Sequence, residues 1–241
     1  MDKRQPILNA PSVVVWLLGL FVIIHVGRTQ LSDAQDGWLI ELLAFIPARL
    51  ASGGTEFYGG QEAAITQFLT HMFLHGDATH LLVNSAWFLA FGTSVARRTG
   101  PVRFVAFFLL CGIGGALFYL ACNTGLRSPM IGASGAISGL MGASFRFLFG
   151  PLRALDGEAI AGEGLQPPLL SLSDTLRERR ILAAIAGWTL LNVLFAWGAA
   201  GMLDGISIAW EAHVGGFYAG LLTFGYFDRQ PPVHQNVAEA E

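Results

Sequence analysis

An all-α polytopic membrane protein, a bundle of six transmembrane helices with both termini cytoplasmic, is the fold this chain predicts. Three observations carry the prediction. Of the 241 residues, 53% are hydrophobic and only 13% are charged. Soluble domains carry about 25% charged residues, so this chain lacks the polar groups to cover a water-facing surface. The apolar residues gather in six runs, about 12–27, 78–96, 102–122, 130–149, 181–200 and 206–226. Each is near the ~20 residues a helix needs to cross the hydrocarbon layer. Finally, with the N-terminus inside, 11 of the 14 lysines and arginines fall on the inner side, and only Arg28, Arg49 and Arg127 fall outside. The positive-inside rule selects that orientation.

The first run follows Lys3 and Arg4 but is not followed by an obvious small-x-small cleavage site, so it is read as a retained helix. The loop 28–77 then lies outside. Its glycine pairs Gly53-Gly54 and Gly59-Gly60, and its amphipathic stretch from Trp38 to Leu50, suit a partly embedded lateral gate. Asp77 is placed to cap the second run. Cys111 and Cys122 share the third run, where 11 helical residues separate them by about 16 Å, too far for a disulfide. The inner loop 150–180 mixes Asp156, Glu158 and Glu163 with Pro167-Pro168 and ends with Asp174 and Glu178 among arginines. It reads as a solvated linker whose last arginines anchor the fifth run at the headgroups. Residues 1–227 thus form a single membrane domain, and 228–241, with Pro231-Pro232, a frayed polar tail. A net charge of −3 without a basic block excludes nucleic acid as a partner and leaves the lipid bilayer as the setting.

Three apolar runs carry chemistry. Gly132-Ala133-Ser134-Gly135 sets one hydroxyl among small residues, so that another backbone can approach it closely. His80-x-x-x-Asn84 lies upstream, and Ala212-His213-x-x-Gly216-x-x-x-Gly220 downstream. The runs bearing them all pass from outside to inside, and His80, Ser134 and His213 fall about 3–11 Å from the outer ends at 1.5 Å per residue. A serine, a histidine and an amide donor are the parts of an acyl-transfer site. Each has a plainer reading: small-residue helix packing for Ser134, an interhelical bond for His213, and a polar stitch for His80 and Asn84. Ser138, one turn on, is a rival hydroxyl. His71, His75 and His80 suggest a metal site by spacing, but no carboxylate or cysteine accompanies them, so the reading is no metal. Glu211 stands two residues from His213, on another helix face, so a dyad is read rather than a triad. A water-poor site keeps an imidazole neutral and able to accept a serine proton.

Taken in order, His75-Gly-Asp-Ala-Thr-His80-Leu-Leu-Val-Asn84, Gly132-Ala133-Ser134-Gly135, and Ala212-His213-Val-Gly-Gly216 followed by Gly220 resemble the rhomboid intramembrane serine proteases, from about Thr66 to Phe224. The resemblance implies a rhomboid-like six-helix bundle. In it Ser134 is the nucleophile and His213 the general base, with an oxyanion hole made by Asn84, His80 and the Ser134 backbone N–H. It implies that Gly132 shapes the turn before the serine, that His75 supports the outer loop, and that no cofactor is needed. Its expected substrates are transmembrane proteins, cut in or beside their membrane segments. Two departures stand out. Thr66-Gln67 occupies positions where many members carry Trp-Arg, which bears on loop anchoring and not on the dyad. Ser138 stands where some members stack an aromatic on the histidine, so His213 is expected to be held by packing against glycine-lined helices.

Two other classes compete. A catalytically silent rhomboid-like binder is the nearer alternative, but such proteins typically lose one member of the pair, and both are present here. A transporter should show repeated, broken helices and midplane sites, and no internal repeat is found. The expected location is a bacterial-type plasma membrane, with the site opening to the outer side.

Overall fold

The computed structural model describes residues 9–148, 168–202 and 209–229, and every regular element among them is helical. In chain order the helices are α1 (Ser12–Arg28), α2 (Asp33–Leu43), α3 (Pro47–Ala51), α4 (Gly60–Thr70), α5 (Ala78–Trp87), α6 (Thr93–Thr99), α7 (Pro101–Cys122), α8 (Ser134–Phe145), α9 (Leu172–Arg177), α10 (Arg179–Met202) and α11 (Trp210–Thr223). A π-helical turn, Phe88–Gly92, joins α5 to α6. Among the described residues, α7 alone is long and apolar enough to cross a bilayer by length and composition.

The centre of the fold is a three-helix crossing made of glycine. On α8, Gly135, Gly139 and Gly142 face Ala212, Gly216 and Gly220 of α11. A methyl group added at Gly216 would fall on the Gly135 carbonyl oxygen, and one at Gly220 on that of Gly139. α7 joins them through Gly115, where an added methyl would sit 2.6 Å from the Ala212 carbonyl oxygen. Small residues at i, i+4 and i+7 or i+8 align on one helix face and let backbones touch. Around this crossing Phe21, Phe88, Phe104, Phe107 and Phe108 are fully buried, with Phe21, Phe88 and Phe108 in mutual ring contact.

The fourth predicted span is corrected at its N-terminal end. Residues 130–133 are not helical. Met130 and Phe45 exchange two backbone hydrogen bonds of 2.9 Å, and the Gly132 N–H donates to the His71 carbonyl at 2.9 Å. These long-range pairings hold the chain extended, so Ser134 opens α8 instead of lying four residues inside it. α8 is consequently 12 residues long. The amphipathic stretch 38–50 is likewise not one helix. It breaks at Ala44–Ile46 between α2 and α3, because Phe45 pairs with Met130 and the Ile46 N–H donates to Gln67 Oε1 at 2.9 Å.

The departure at Thr66-Gln67 has a structural answer. Gln67 is fully buried, and the cation beside it comes from elsewhere in the same loop: Arg49, also fully buried. Arg49 Nη1 donates to Gln67 Oε1 and to the Ala44 carbonyl, each at 3.1 Å, and Nη2 donates to the Glu41 carbonyl. The pair therefore holds the turn that carries Phe45. Arg49→Leu should strip the Ala44 and Glu41 carbonyls of this donor, at about 1–3 kcal/mol for each buried group, while Gln67 Oε1 keeps the Ile46 N–H. Hydrogen exchange over residues 44–67 should accelerate; unchanged protection would contradict this anchoring role.

His71 and His75 lie beside this anchored loop. His71 Nδ1 donates to the Gln67 carbonyl at 2.7 Å, and the His75 carbonyl accepts from Arg28 Nη1 at 2.7 Å. The Arg28 guanidinium also grips Asp36 at 2.7 and 2.9 Å. Burial pushes the His71 imidazole down to about 4, against the smaller opposing effect of the Gln67 bond. Burial does the same to His75, also to about 4, reinforced by His80, His25 and Arg28. The unfolded chain takes up these protons near pH 6.5, before the folded one. Stability is therefore full above about pH 6.5 and falls as pH is lowered toward about 4, by about 3 kcal/mol for His71. In detergent, the thermal midpoint should be lower at about pH 5 than at about pH 7; equal midpoints would contradict it.

At the opposite end of the bundle the arginines are not all at the surface. Arg98 and Asp228 form a buried ion pair at 2.6 Å, with the guanidinium over the Phe147 ring at 4.6 Å. Arg146 donates to the Leu170 and Leu221 carbonyls. Asp228, expected to begin a frayed tail, is thus part of the packed domain; residues 230–241 lie outside the described residues. So do 149–167, most of the predicted inner linker. Its remainder forms α9, capped by Ser171, whose Oγ accepts the Asp174 N–H at 3.0 Å.

Candidate active site

The glycine crossing sets the first turn of α11 against the start of α8. His213, in that first turn, lies with Nε2 2.8 Å from Ser134 Oγ. Its other nitrogen, Nδ1, lies 3.0 Å from Asn192 Oδ1, on α10. Asn192 is aligned by two neighbours on its own helix. Trp188 stacks on Phe217 of α11 with ring centroids 4.2 Å apart, and Thr189 Oγ1 meets the Tyr218 hydroxyl at 3.1 Å. Residues 188 and 192, and 213 and 217, are each one turn apart, so the ring stack and the amide–imidazole contact share one interhelical seam. Asn192 was not singled out in the sequence. Its signal was available: an amide within the apolar run 181–200, where polar groups are costly.

The Ser134 hydroxyl stands at a helix start, where the first backbone N–H groups have no carbonyl one turn earlier and the dipole is positive. Gly132, two residues before, has φ +122°, a conformation only glycine adopts without strain. A methyl group there would also sit 2.7 Å from His80 Nε2. His80 is therefore directly against the serine turn. The Gly76 N–H donates to His80 Nδ1 at 3.3 Å, so Nε2, the nitrogen facing Gly132, carries the ring proton. Asp77 caps α5 as expected, accepting the His80 N–H at 2.8 Å. Asn84 is buried, and its Nδ2 donates to the His80 carbonyl at 2.9 Å, which engages one of its two N–H bonds.

The remaining sequence candidates separate clearly. Ser138 is buried one turn along α8, and His213 spends its two nitrogens on Ser134 and Asn192. Glu211 accepts from Asn123 Nδ2 at 2.9 Å and does not orient His213. The His75 ring packs 5.3 Å from that of His80 and 5.4 Å from that of Phe21, and its carbonyl accepts from Arg28. Gly216 and Gly220 contribute close approach, not contacts of their own. Chemically, the arrangement can pass a hydroxyl proton to an imidazole, with N–H donors beside the oxygen.

Comparison with known proteins identifies the family. A family model described as the Rhomboid domain matches residues 62–230. The chain is 28% identical over 164 residues to Rhomboid protease AarA of Providencia stuartii, covering 63% of this chain and 52% of that protein. It is 32% identical over 146 residues to RHOMBOID-like protein 12, mitochondrial, of Arabidopsis thaliana, covering 54% of this chain and 38% of the relative. It is 22% identical over 217 residues to Rhomboid protease GlpG of Haemophilus influenzae, covering 90% and 91% of the two chains. The chain thus spans about half or less of the first two of these relatives and nearly all of the third. The helical bundle, the glycine crossing and a family match running from α4 to the end of the packed domain lead to one conclusion: this chain belongs to the rhomboid family of integral membrane proteins.

Proposed function

We propose that the chain is an intramembrane serine endopeptidase, and the observation that carries the reading is the 2.8 Å approach of His213 Nε2 to Ser134 Oγ at a helix N-terminus. In this mechanism Ser134 Oγ attacks the scissile carbonyl while its proton passes to His213 Nε2. Negative charge develops on the carbonyl oxygen. It is met by the Ser134 backbone N–H, by the Nε2–H of His80 and by the second N–H of Asn84, each suited to stabilise it. Collapse of the tetrahedral intermediate breaks the C–N bond, and His213 returns the proton to the leaving amine. Water, deprotonated by His213, then releases the acyl group. Gly132, whose added methyl would lie 3.8 Å from Ser134 Oγ, keeps the approach to the hydroxyl unobstructed. No metal or cofactor enters these steps.

The reading extends to topology and substrates. Six spans with both termini cytoplasmic would place His80, Ser134 and His213 near the outer face, where water can reach the acyl-enzyme. The distribution of arginines and lysines supports that orientation. Substrates are then transmembrane proteins, cut in or next to their membrane segments, in a bacterial-type plasma membrane. The test is cleavage of a single-pass model substrate by the protein in liposomes, beside Ser134→Ala. Cutting that Ser134→Ala abolishes is the expected result. Cutting that persists would overturn the nucleophile assignment, and a parent protein that binds such substrates uncut would favour the silent binder.

A further inference from the structure

We infer that Asn192 is a positioning residue for the reaction: its side-chain carbonyl fixes the tautomer and ring orientation of His213. The inference rests on the proposed Ser134–His213 reading and adds a third member from a different helix. An amide can face an imidazole in either of two ways, and the choice decides the chemistry. Here Asn192 Nδ2 is engaged with the Trp188 carbonyl one turn back, at 2.9 Å, which leaves Oδ1 as the atom 3.0 Å from His213 Nδ1. A carbonyl oxygen accepts and cannot donate, so Nδ1 must carry the proton. Nε2 then presents its lone pair to Ser134 Oγ, 2.8 Å away, and can take the hydroxyl proton.

The opposite amide orientation would be unproductive. With Nδ2 toward the ring, Nδ1 would have to accept, Nε2 would hold the proton, and the imidazole would donate to the serine instead of receiving from it. The Trp188 bond excludes this. The Trp188–Phe217 stack and the Thr189–Tyr218 bond in turn hold that stretch of α10 in register with α11. Residues beside His213 on its own helix, Ala212 and Gly216, are too small to wall the ring in place. Glu211, the carboxylate nearest in sequence, is bonded to Asn123. When the imidazole becomes protonated, the Asn192 carbonyl still accepts from Nδ1–H, so the ring need not turn between the two proton transfers.

The test compares Asn192→Leu, which keeps the branched shape and removes the acceptor, with Asn192→Asp, which keeps an acceptor in the same place. Gly187→Ala, on the same helix with open space around it and outside the seam, is the control. Cleavage of a single-pass substrate in liposomes should lose about 10²-fold in kcat for Asn192→Leu, with KM nearly unchanged. Asn192→Asp should retain most of the rate, and Gly187→Ala should cut like the parent. The ¹⁵N resonances of His213 should show a protonated Nδ1 and a bare Nε2 in the parent and a mixture of tautomers in Asn192→Leu, a change that a purely structural role would not produce. Parent-like kcat in Asn192→Leu, while Ser134→Ala and His213→Ala are inactive, would overturn the inference and leave the dyad standing. So would equal losses in the Leu and Asp variants with unchanged ¹⁵N resonances. Cleavage surviving in Ser134→Ala would instead remove the reading on which it rests.

Discussion

His213→Ala should lower the rate of peptide cleavage by about 10⁴-fold or more, with no comparable loss of stability. Without the imidazole, no other group among the described residues is bonded to Ser134 Oγ to take its proton, and an un-ionised hydroxyl is a poor nucleophile. Donors around the oxyanion would remain, so a residual rate above that of uncatalysed hydrolysis is expected. Ser134→Ala should fall to a similar level, and the double variant should be little worse than either, because the two groups act as a unit. Single-turnover cleavage in liposomes measures this. A His213→Ala protein that retains a tenth of the parent rate would show that another group serves as base.

A second large effect is expected where the site and fold meet. Gly216→Val would drive a branched side chain into the Gly135 carbonyl, and the obstacle is backbone, which has no rotamer to yield. Overpacking of this kind costs about 1–3 kcal/mol or more. Relief requires α8 and α11 to separate, and the first groups to part are Ser134 and His213, which those helices carry. The thermal midpoint and reaction with a fluorophosphonate should therefore fall together. Gly187→Ala on α10 is the contrast: open space surrounds it, and alanine in a helix is favoured over glycine by up to about 1 kcal/mol. That variant should be as stable as the parent or more so. A Gly216→Val protein that melts and reacts normally would contradict the crossing.

Much of this was legible in the chain because two of its causes are local. Apolar runs mark helices, and glycines spaced by four mark faces that touch, so α7 and the approximate extents of α1, α10 and α11 follow from short windows of sequence. What was misread depends on contacts distant in sequence. The helical start of the fourth run was set too early because residues 130–132 are held straight by Phe45 and His71, more than 50 positions away. The break at Ala44–Ile46 has the same origin. Arg49 and Gln67 exchange a loop-anchoring contact across 18 residues that no spacing rule anticipates. Asp228 reads as tail until Arg98, 130 residues earlier, is seen beside it. Asn192 is different: its residue type was a sufficient warning, but its partner depends on how α10 meets α11.

The most direct test of the central claim is covalent labelling by a fluorophosphonate of the protein in liposomes, with the modified residue located by peptide mass spectrometry. Modification confined to Ser134, and lost when His213 is replaced by alanine, is the result that a serine activated by this histidine requires. Modification of Ser138 instead, or of Ser134 at the same rate without His213, would contradict it.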